Sequence, residues 1–245
     1  MIHHRLDGPA DGAPLVLGPS LGTSLALWEP QLPALSRSHR VLRWDLPGHG
    51  SSPAASDVSV AGLAEEVLRL ADAQGWERFR YAGVSLGGAV GLHLAVHHPS
   101  RVSRLALVCS SARFGEPSAW RARAASVREG GTEAMVASRP GTWFAPGFEG
   151  AGPLLSDLRA TDAASYAACC EALAAYDLRP ALPRVTAPVL VVAGRDDPAT
   201  PPSHARELAD AIPDASLLEL RSAHHLANAE RPEAVTTALT AFFAG

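Results

Sequence analysis

The chain contains no lysine: all 21 of its basic residues are arginine. That absence excludes Schiff-base chemistry on a lysine amine and the phosphate-binding lysine of a P-loop. Any fixed positive charge that meets a ligand must be an arginine or a protonated histidine. Cysteine is scarce as well. Cys109 and the adjacent pair Cys169-Cys170 are too few and too badly spaced for a disulfide framework or a four-ligand zinc site, so they are read as buried small hydrophobes and no metal is expected. No apolar run reaches membrane-spanning length and no charged-then-apolar leader opens the chain, so the expected location is cytoplasmic, without membrane association. An excess of basic charge is missing too. The formal net charge of −4 gives no general attraction to nucleic acid. The sequence carries no signal of oligomeric state.

What is present is an ordinary globular composition, 47% hydrophobic and 19% charged, in 245 residues, enough for one substantial core or one core with an insertion. Residues 1 to 12 carry turn signals at Asp7-Gly8-Pro9 and Asp11-Gly12 between short extended pieces and are read as an edge hairpin. Strand-like runs follow at Pro14-Leu15-Val16-Leu17, 39–44, 78–82, 102–109, 187–193 and 216–220. Helical patterns separate them, as at Val60 to Gln74, where Leu63, Val67, Leu68 and Ala71 recur at helical spacing, and at 27–36, 203–212 and 232–243. Strands alternating with helices predict an α/β fold with a mostly parallel sheet covered on both faces. Composition shifts between residues 112 and 184. Helical segments around Trp120 to Val127 and Asp162 to Ala175 have no strand-like run between them, and glycine and proline break the stretch from Gly130 to Pro153. The expected organisation is therefore a core of residues 1–111 and 185–245 with a helical cap, 112–184, inserted as part of the same unit.

The stretch Tyr81-Ala82-Gly83-Val84-Ser85-Leu86-Gly87-Gly88 is a G-x-S-x-G turn between a strand and a helix that runs unbroken to Pro99. Gly83 and Gly87 lack side chains where a sharp turn brings backbones together, which lets Ser85 present its hydroxyl on strained geometry as a nucleophile. A helix-capping serine is the plainer alternative, and the strand–turn–helix context counts against it. Such an elbow needs a second backbone N–H opposite the one that follows the nucleophile. Leu86 supplies the first, and in the loop Gly18-Pro19-Ser20-Leu21-Gly22-Thr23 the second is expected from Leu21, with Ser20 as the alternative because Pro19 has no N–H to donate.

A serine is too weak an acid to attack unaided; it needs an imidazole base and a carboxylate to orient that base. Both partners come as doublets beyond strand ends. The acid is Asp196 or Asp197 in Gly194-Arg195-Asp196-Asp197-Pro198, and the base is His224 or His225. The order serine, acid, histidine is the one associated with this elbow. His49, between two glycines, is read as a loop-packing histidine. Trp120, Trp143 and Phe144 are candidate pocket walls, or else they pack the cap on the core.

Several segments together resemble a known family: Ser20-Leu21-Gly22-Thr23, Trp28-Glu29-Pro30-Gln31, Trp143-Phe144-Ala145-Pro146, Tyr166-Ala167-Ala168-Cys169-Cys170, Asp197-Pro198-Ala199-Thr200-Pro201-Pro202 and His225-Leu226-Ala227-Asn228. The chain resembles the α/β-hydrolase superfamily throughout and, more narrowly, the 3-oxoadipate enol-lactone hydrolases of the β-ketoadipate pathway. The resemblance implies the α/β-hydrolase fold and selects Asp197, directly before Pro-Ala-Thr-Pro, and His225, before Leu-x-Asn. It also implies hydrolysis of a small anionic enol lactone to 3-oxoadipate in aromatic-compound catabolism, without metal or organic cofactor. Other hydrolases of the fold, such as C–C bond hydrolases or carboxylesterases, would keep the same three residues, and a ligand sensor on this scaffold is a further alternative. A dehalogenase would need a carboxylate where Ser85 stands. Two departures from the family pattern stand out: Pro19-Ser20 replaces a Ser-Asn-like pair, and Thr142 occupies a position that often holds arginine. The substrate carboxylate is left to one of Arg113, Arg121, Arg123, Arg128 and Arg139, or to donors of the Ser20 loop.

Overall fold

A computed structural model describes residues 1–244. Its strands are β1 (His4–Asp7), β2 (Ala13–Gly18), β3 (His39–Trp44), β4 (Phe79–Val84), β5 (Val102–Val108), β6 (Val189–Gly194) and β7 (Ala215–Leu220). They form one sheet in the order β1-β3-β2-β4-β5-β6-β7. Every pairing is parallel except that of β1 with β3. This is the α/β architecture that the alternation of strands and helices predicts. The central strands are apolar and buried at successive positions, as in Val189-Leu190-Val191-Val192, which requires cover on both faces of the sheet. The N-terminal piece differs from the expected hairpin. β1 pairs with β3, because β2 is taken up on both sides by β3 and β4 and has no free edge to offer.

The connections follow local chemistry. The helix Val60–Ala73 starts at Ser59, whose side chain accepts the Gly62 N–H, and it buries Leu63, Ala64, Val67, Leu68 and Ala71. The predicted helix at 27–36 is two short pieces, a 3₁₀ turn Leu25–Trp28 and a helix Leu32–Leu35. Pro30 lies between them and has no N–H to continue the ladder. Between β5 and β6 come helices Pro117–Gly130, Glu133–Val136, Ala151–Ala160 and Ala163–Ala174, then a 3₁₀ segment Arg179–Arg184. The helix Ala151–Ala160 begins inside the stretch expected to be broken. Pro153 is its third residue, in the first turn, where the missing N–H costs no helical bond. Among the described residues, no helix is long and apolar enough to cross a membrane.

These helices are tied to the loops of the sheet by specific polar bonds. Asp157 accepts from the Ser24 N–H at 3.1 Å and its Oγ at 2.6 Å, and Asp162 N–H donates to the Gly48 carbonyl at 2.9 Å. His49 lies beneath them, fully buried, its ring stacked on Tyr166 and its Nδ1 2.8 Å from the Pro47 carbonyl oxygen. It is the loop-packing histidine expected. Burial pushes its pKa down to about 4, against smaller raising effects from the Pro47 carbonyl, Asp45 and Asp162.

Two outcomes follow for stability. A Cβ on Gly83 would lie 2.3 Å from the carbonyl carbon of Gly87, whereas Gly75, at positive φ (+72°), has nothing within 4 Å. In urea denaturation Gly83→Ala should lose more than about 3 kcal/mol, and Gly75→Ala only about 1–2 kcal/mol from backbone strain; equal losses would show that the Gly83 crossing is not tight. His49 is neutral in the folded chain and has an ordinary unfolded value of 6.5. Between 6.5 and about 4 the unfolded chain therefore binds the extra proton, so stability falls as pH drops through that window. From pH 7 to pH 5 the wild type should lose about 2 kcal/mol more than His49→Gln, and parallel losses in the two proteins would contradict the assignment.

Candidate active site

Ser85 stands where β4 ends and the helix Leu86–His97 begins, at φ 54° and ψ −115°. For a residue with a Cβ this region costs of order 1–3 kcal/mol. Three hydrogen bonds hold it there. The Ser85 N–H donates to the Val108 carbonyl at 3.0 Å, and its own carbonyl accepts from the Ala89 N–H at 3.0 Å and from Ser110 Oγ at 2.8 Å. Glycine makes the turn possible on the other side as well, since a Cβ on Gly87 would lie 2.4 Å from the Gly18 carbonyl carbon.

That close approach sets the loop after β2 against the start of the elbow helix. The Gly87 N–H donates to Pro19 O at 2.9 Å, and Trp28 Nε1 fixes the Gly18 carbonyl at 3.0 Å. Thr23 folds the loop back on Ser20 through its N–H and its hydroxyl. Among the described residues, the N–H groups of Leu21 and Leu86 have no hydrogen-bond acceptor. Leu86 is the first residue of a 12-residue helix, where the helix dipole favours negative charge.

Asp197 follows β6 and His225 follows β7, so both lie beyond the same ends of the parallel strands as Ser85. Asp197 Oδ2 is 2.8 Å from His225 Nδ1, and both side chains are buried. The Ala199 and Thr200 N–H groups donate to Oδ1 at 2.7 and 3.0 Å, and Thr200 Oγ1 donates to Oδ2 at 2.7 Å. Burial alone would raise the Asp197 carboxyl, but the charge and hydrogen bond of His225 and the Thr200 bonds outweigh it, leaving the carboxyl below its ordinary value. The acid therefore stays ionised and accepts from Nδ1–H, which leaves Nε2 as the basic nitrogen. The other members of the doublets point elsewhere. Asp196 is exposed. His224 binds Glu230, through its N–H at 2.6 Å and its ring at 3.2 Å.

Ser85 and His225 line one cavity of about 30 Å³, together with Ser20, Leu21, Ala199 and Thr200. Phe114, Trp120, Arg123, Trp143 and Tyr166, all from the segment between β5 and β6, close its other side. The sequence candidates Ser20, Leu21, Trp120 and Trp143 are thus part of the wall. Phe144 is not. Its ring packs on Phe148, 5.4 Å between centroids, while Trp143, in the turn closed by the Gly141 N–H on the Phe144 carbonyl, takes the cavity side. In its present shape the cavity holds about one water, so a larger ligand is admitted only if the side chains of this cover shift. Larger grooves, such as one of about 340 Å³ along Ile2, Pro47, Val58 and Leu63, contain none of Ser85, Asp197 and His225.

Thr200, Ser110 and Tyr166 were not singled out for these places by sequence reasoning, whereas Arg123, one of the five arginines named for the substrate carboxylate, lines the cavity. The turn after Asp197 had a readable signal, since an Asp side chain commonly accepts the backbone N–H two residues on, here that of Ala199. The motif residues also find a physical role. Gln31 Nε2 donates to the Asn228 carbonyl at 2.8 Å, and Asn228 Nδ2 donates to Leu27 O at 2.9 Å. These bonds join the loop that carries Leu21 to the loop that carries His225. The His225 and Leu226 N–H groups donate to the carbonyls of Thr142 and Trp143 at 3.2 and 2.8 Å, and Glu230 accepts the Ala145 N–H at 2.9 Å.

Comparison with known proteins agrees with this geometry. A family model described as the alpha/beta hydrolase fold matches residues 13–149, and one described as a TAP-like protein matches residues 158–245. The chain is 37% identical to 3-oxoadipate enol-lactonase 2 of Acinetobacter baylyi, over 98% of this chain and 92% of that one. It is 36% identical to the RutD protein of Variovorax paradoxus, provisionally named a carbamate hydrolase, over 88% of this chain and 86% of that one. The crystal structure of the enol-lactonase from Burkholderia xenovorans LB400 superposes with a TM-score of 0.96 at 38% identity, covering 100% of this chain and 96% of that one. By fold, by family model and by full-length similarity, the chain belongs to the α/β-hydrolase superfamily and, within it, to the family of the 3-oxoadipate enol-lactonases.

Proposed function

We propose that this protein is a serine hydrolase that opens 3-oxoadipate enol-lactone to 3-oxoadipate in the breakdown of aromatic compounds. The observation that carries the proposal is the buried Asp197–His225 pair whose histidine shares a cavity with an elbow serine, in a chain similar along its whole length to proteins named enol-lactonases. Ser85 Oγ attacks the lactone carbonyl while His225 Nε2 takes its proton, and Asp197 holds the imidazole tautomer and stabilises the imidazolium. The Leu21 and Leu86 N–H groups bind the oxyanion. Each such preorganised donor contributes roughly 10²–10³ in rate. Collapse of the tetrahedral intermediate breaks the ring C–O bond. The departing enolate oxygen takes the proton back from His225 and the enol tautomerises to the ketone, leaving an acyl group on Ser85. His225 then removes a proton from water as that water attacks the acyl carbon, and a second collapse releases the acid and restores Ser85. An enolate leaves more readily than an alkoxide, so the demand on His225 as an acid is lower here than in simple ester hydrolysis.

A second reading, carbamate hydrolysis, is favoured by the RutD similarity and would use the same three residues. Loss of the enol-lactone ultraviolet chromophore, measured beside a neutral aryl ester and an aryl carbamate, separates the readings. The lactone should have the highest kcat/KM, and preference for either of the others would reassign the substrate. In the same assay Ser85→Ala, Asp197→Asn and His225→Ala should each lower kcat by on the order of 10³ or more, while Asp196→Asn stays near wild type. Collapse in Asp196→Asn with activity retained in Asp197→Asn would reassign the acid.

A further inference from the structure

An acidic lactone brings a second carboxylate into a site that already buries the ionised Asp197, and an unpaired anion in such surroundings costs several kcal/mol. The chain has no lysine, so the arginines near the cavity decide how that charge is met. Arg113 pairs with Glu116, and Arg128 with Glu171 at 2.7 Å. Arg121 is exposed. Arg139 is buried away from the cavity, donating to the Met135 carbonyl and Ser138 Oγ with its guanidinium over the Trp143 ring. Thr142, where the family often has arginine, spends its hydroxyl on the Ser138 carbonyl at 2.9 Å.

Arg123 differs from all of these. It lines the cavity that contains Ser85 and His225, and among the described residues it pairs with no carboxylate. Its guanidinium lies over the Trp120 ring, 4.5 Å from the centroid. A guanidinium held by its face on an aromatic ring keeps its N–H edge free for a planar two-point contact with a carboxylate. Tyr166 stands in the same wall. Burial pushes its hydroxyl up to about 12, against smaller lowering effects from Arg123 and Arg139, so it stays a neutral donor beside the arginine. We infer that Arg123, steadied on Trp120 and assisted by the Tyr166 hydroxyl, is the residue that binds the free carboxylate of the substrate, and that it sets the preference of this enzyme for acidic over neutral acyl groups. The assignment rests on the enol-lactonase reading for the identity of the acid, but the charge preference itself does not.

The test measures a ratio of kcat/KM values in two pairs of compounds: the enol lactone against its methyl ester, and the nitrophenyl half-ester of succinic acid against nitrophenyl butyrate. In the wild type the acid should be preferred in both pairs. Arg123→Gln should cut that preference at least tenfold, mainly through KM for the acids, and Arg121→Gln should leave it unchanged. An undiminished preference in Arg123→Gln overturns the assignment, and so does a wild type that prefers the neutral member of both pairs. If the wild type turns over the acidic half-ester but not the lactone, the enol-lactonase reading fails while the half-ester pair still decides the role of Arg123. Neutral-ester turnover in Arg123→Gln, together with its melting curve, reports whether the variant is folded.

Discussion

Everything at this site depends on a backbone-to-backbone contact, the approach of Gly83 and Gly18 to the first turn of the helix Leu86–His97. The absence of side chains there lets β4 turn into the helix within one residue, and that residue is Ser85, held at positive φ by bonds from Val108, Ala89 and Ser110. The same contact places the Pro19 carbonyl on the Gly87 N–H. It therefore positions the Leu21 loop relative to the Leu86 amide at the same turn that carries Ser85. The strained serine and the unpartnered Leu21 and Leu86 amides are two results of one packing constraint.

His225 and Asp197 are fixed by a separate network, and it is joined to the first at few points. Thr200 and the turn after Asp197 hold the carboxylate, and the carboxylate holds His225. Gln31 and Asn228 connect the loop of His225 to the segment behind Leu21, while the Thr142 and Trp143 carbonyls and Glu230 connect it to the helical cover. The carbonyls that receive the His225 and Leu226 amides thus belong to the segment that supplies Trp143 to the cavity wall. Trp143 and the loop of His225 are therefore tied to each other by backbone bonds beside the cavity.

Much of this was legible in the sequence where the signal was local. The G-x-S-x-G turn, the strand alternation and the motifs around Asp197 and His225 each depend on residues adjacent in the chain, and the structure places Ser85, Asp197 and His225 at one end of the sheet, after β4, β6 and β7. What escaped depended on contacts between distant residues. The pairing of β1 with β3 follows from β2 being occupied on both sides. Phe144 could not be told from Trp143 without knowing which of the two the turn at 141–143 sets against the cavity. Arg123 was one of five equivalent arginines until ion pairs claimed two of them, solvent a third and the Met135 carbonyl a fourth. The helix Ala151–Ala160 was hidden by Pro153, whose position within a first turn removes its usual meaning as a breaker.

The central claim is that Ser85 is made nucleophilic by His225 and Asp197, and labelling with a fluorophosphonate tests it most directly, because the reagent phosphonylates only an activated serine and the adduct is read by intact mass and peptide mapping. The account predicts one phosphonyl group per chain, located on Ser85, with turnover lost in proportion, and labelling slowed by orders of magnitude in His225→Ala but not in His224→Ala. Modification of any other residue, or full turnover by the labelled protein, would contradict it.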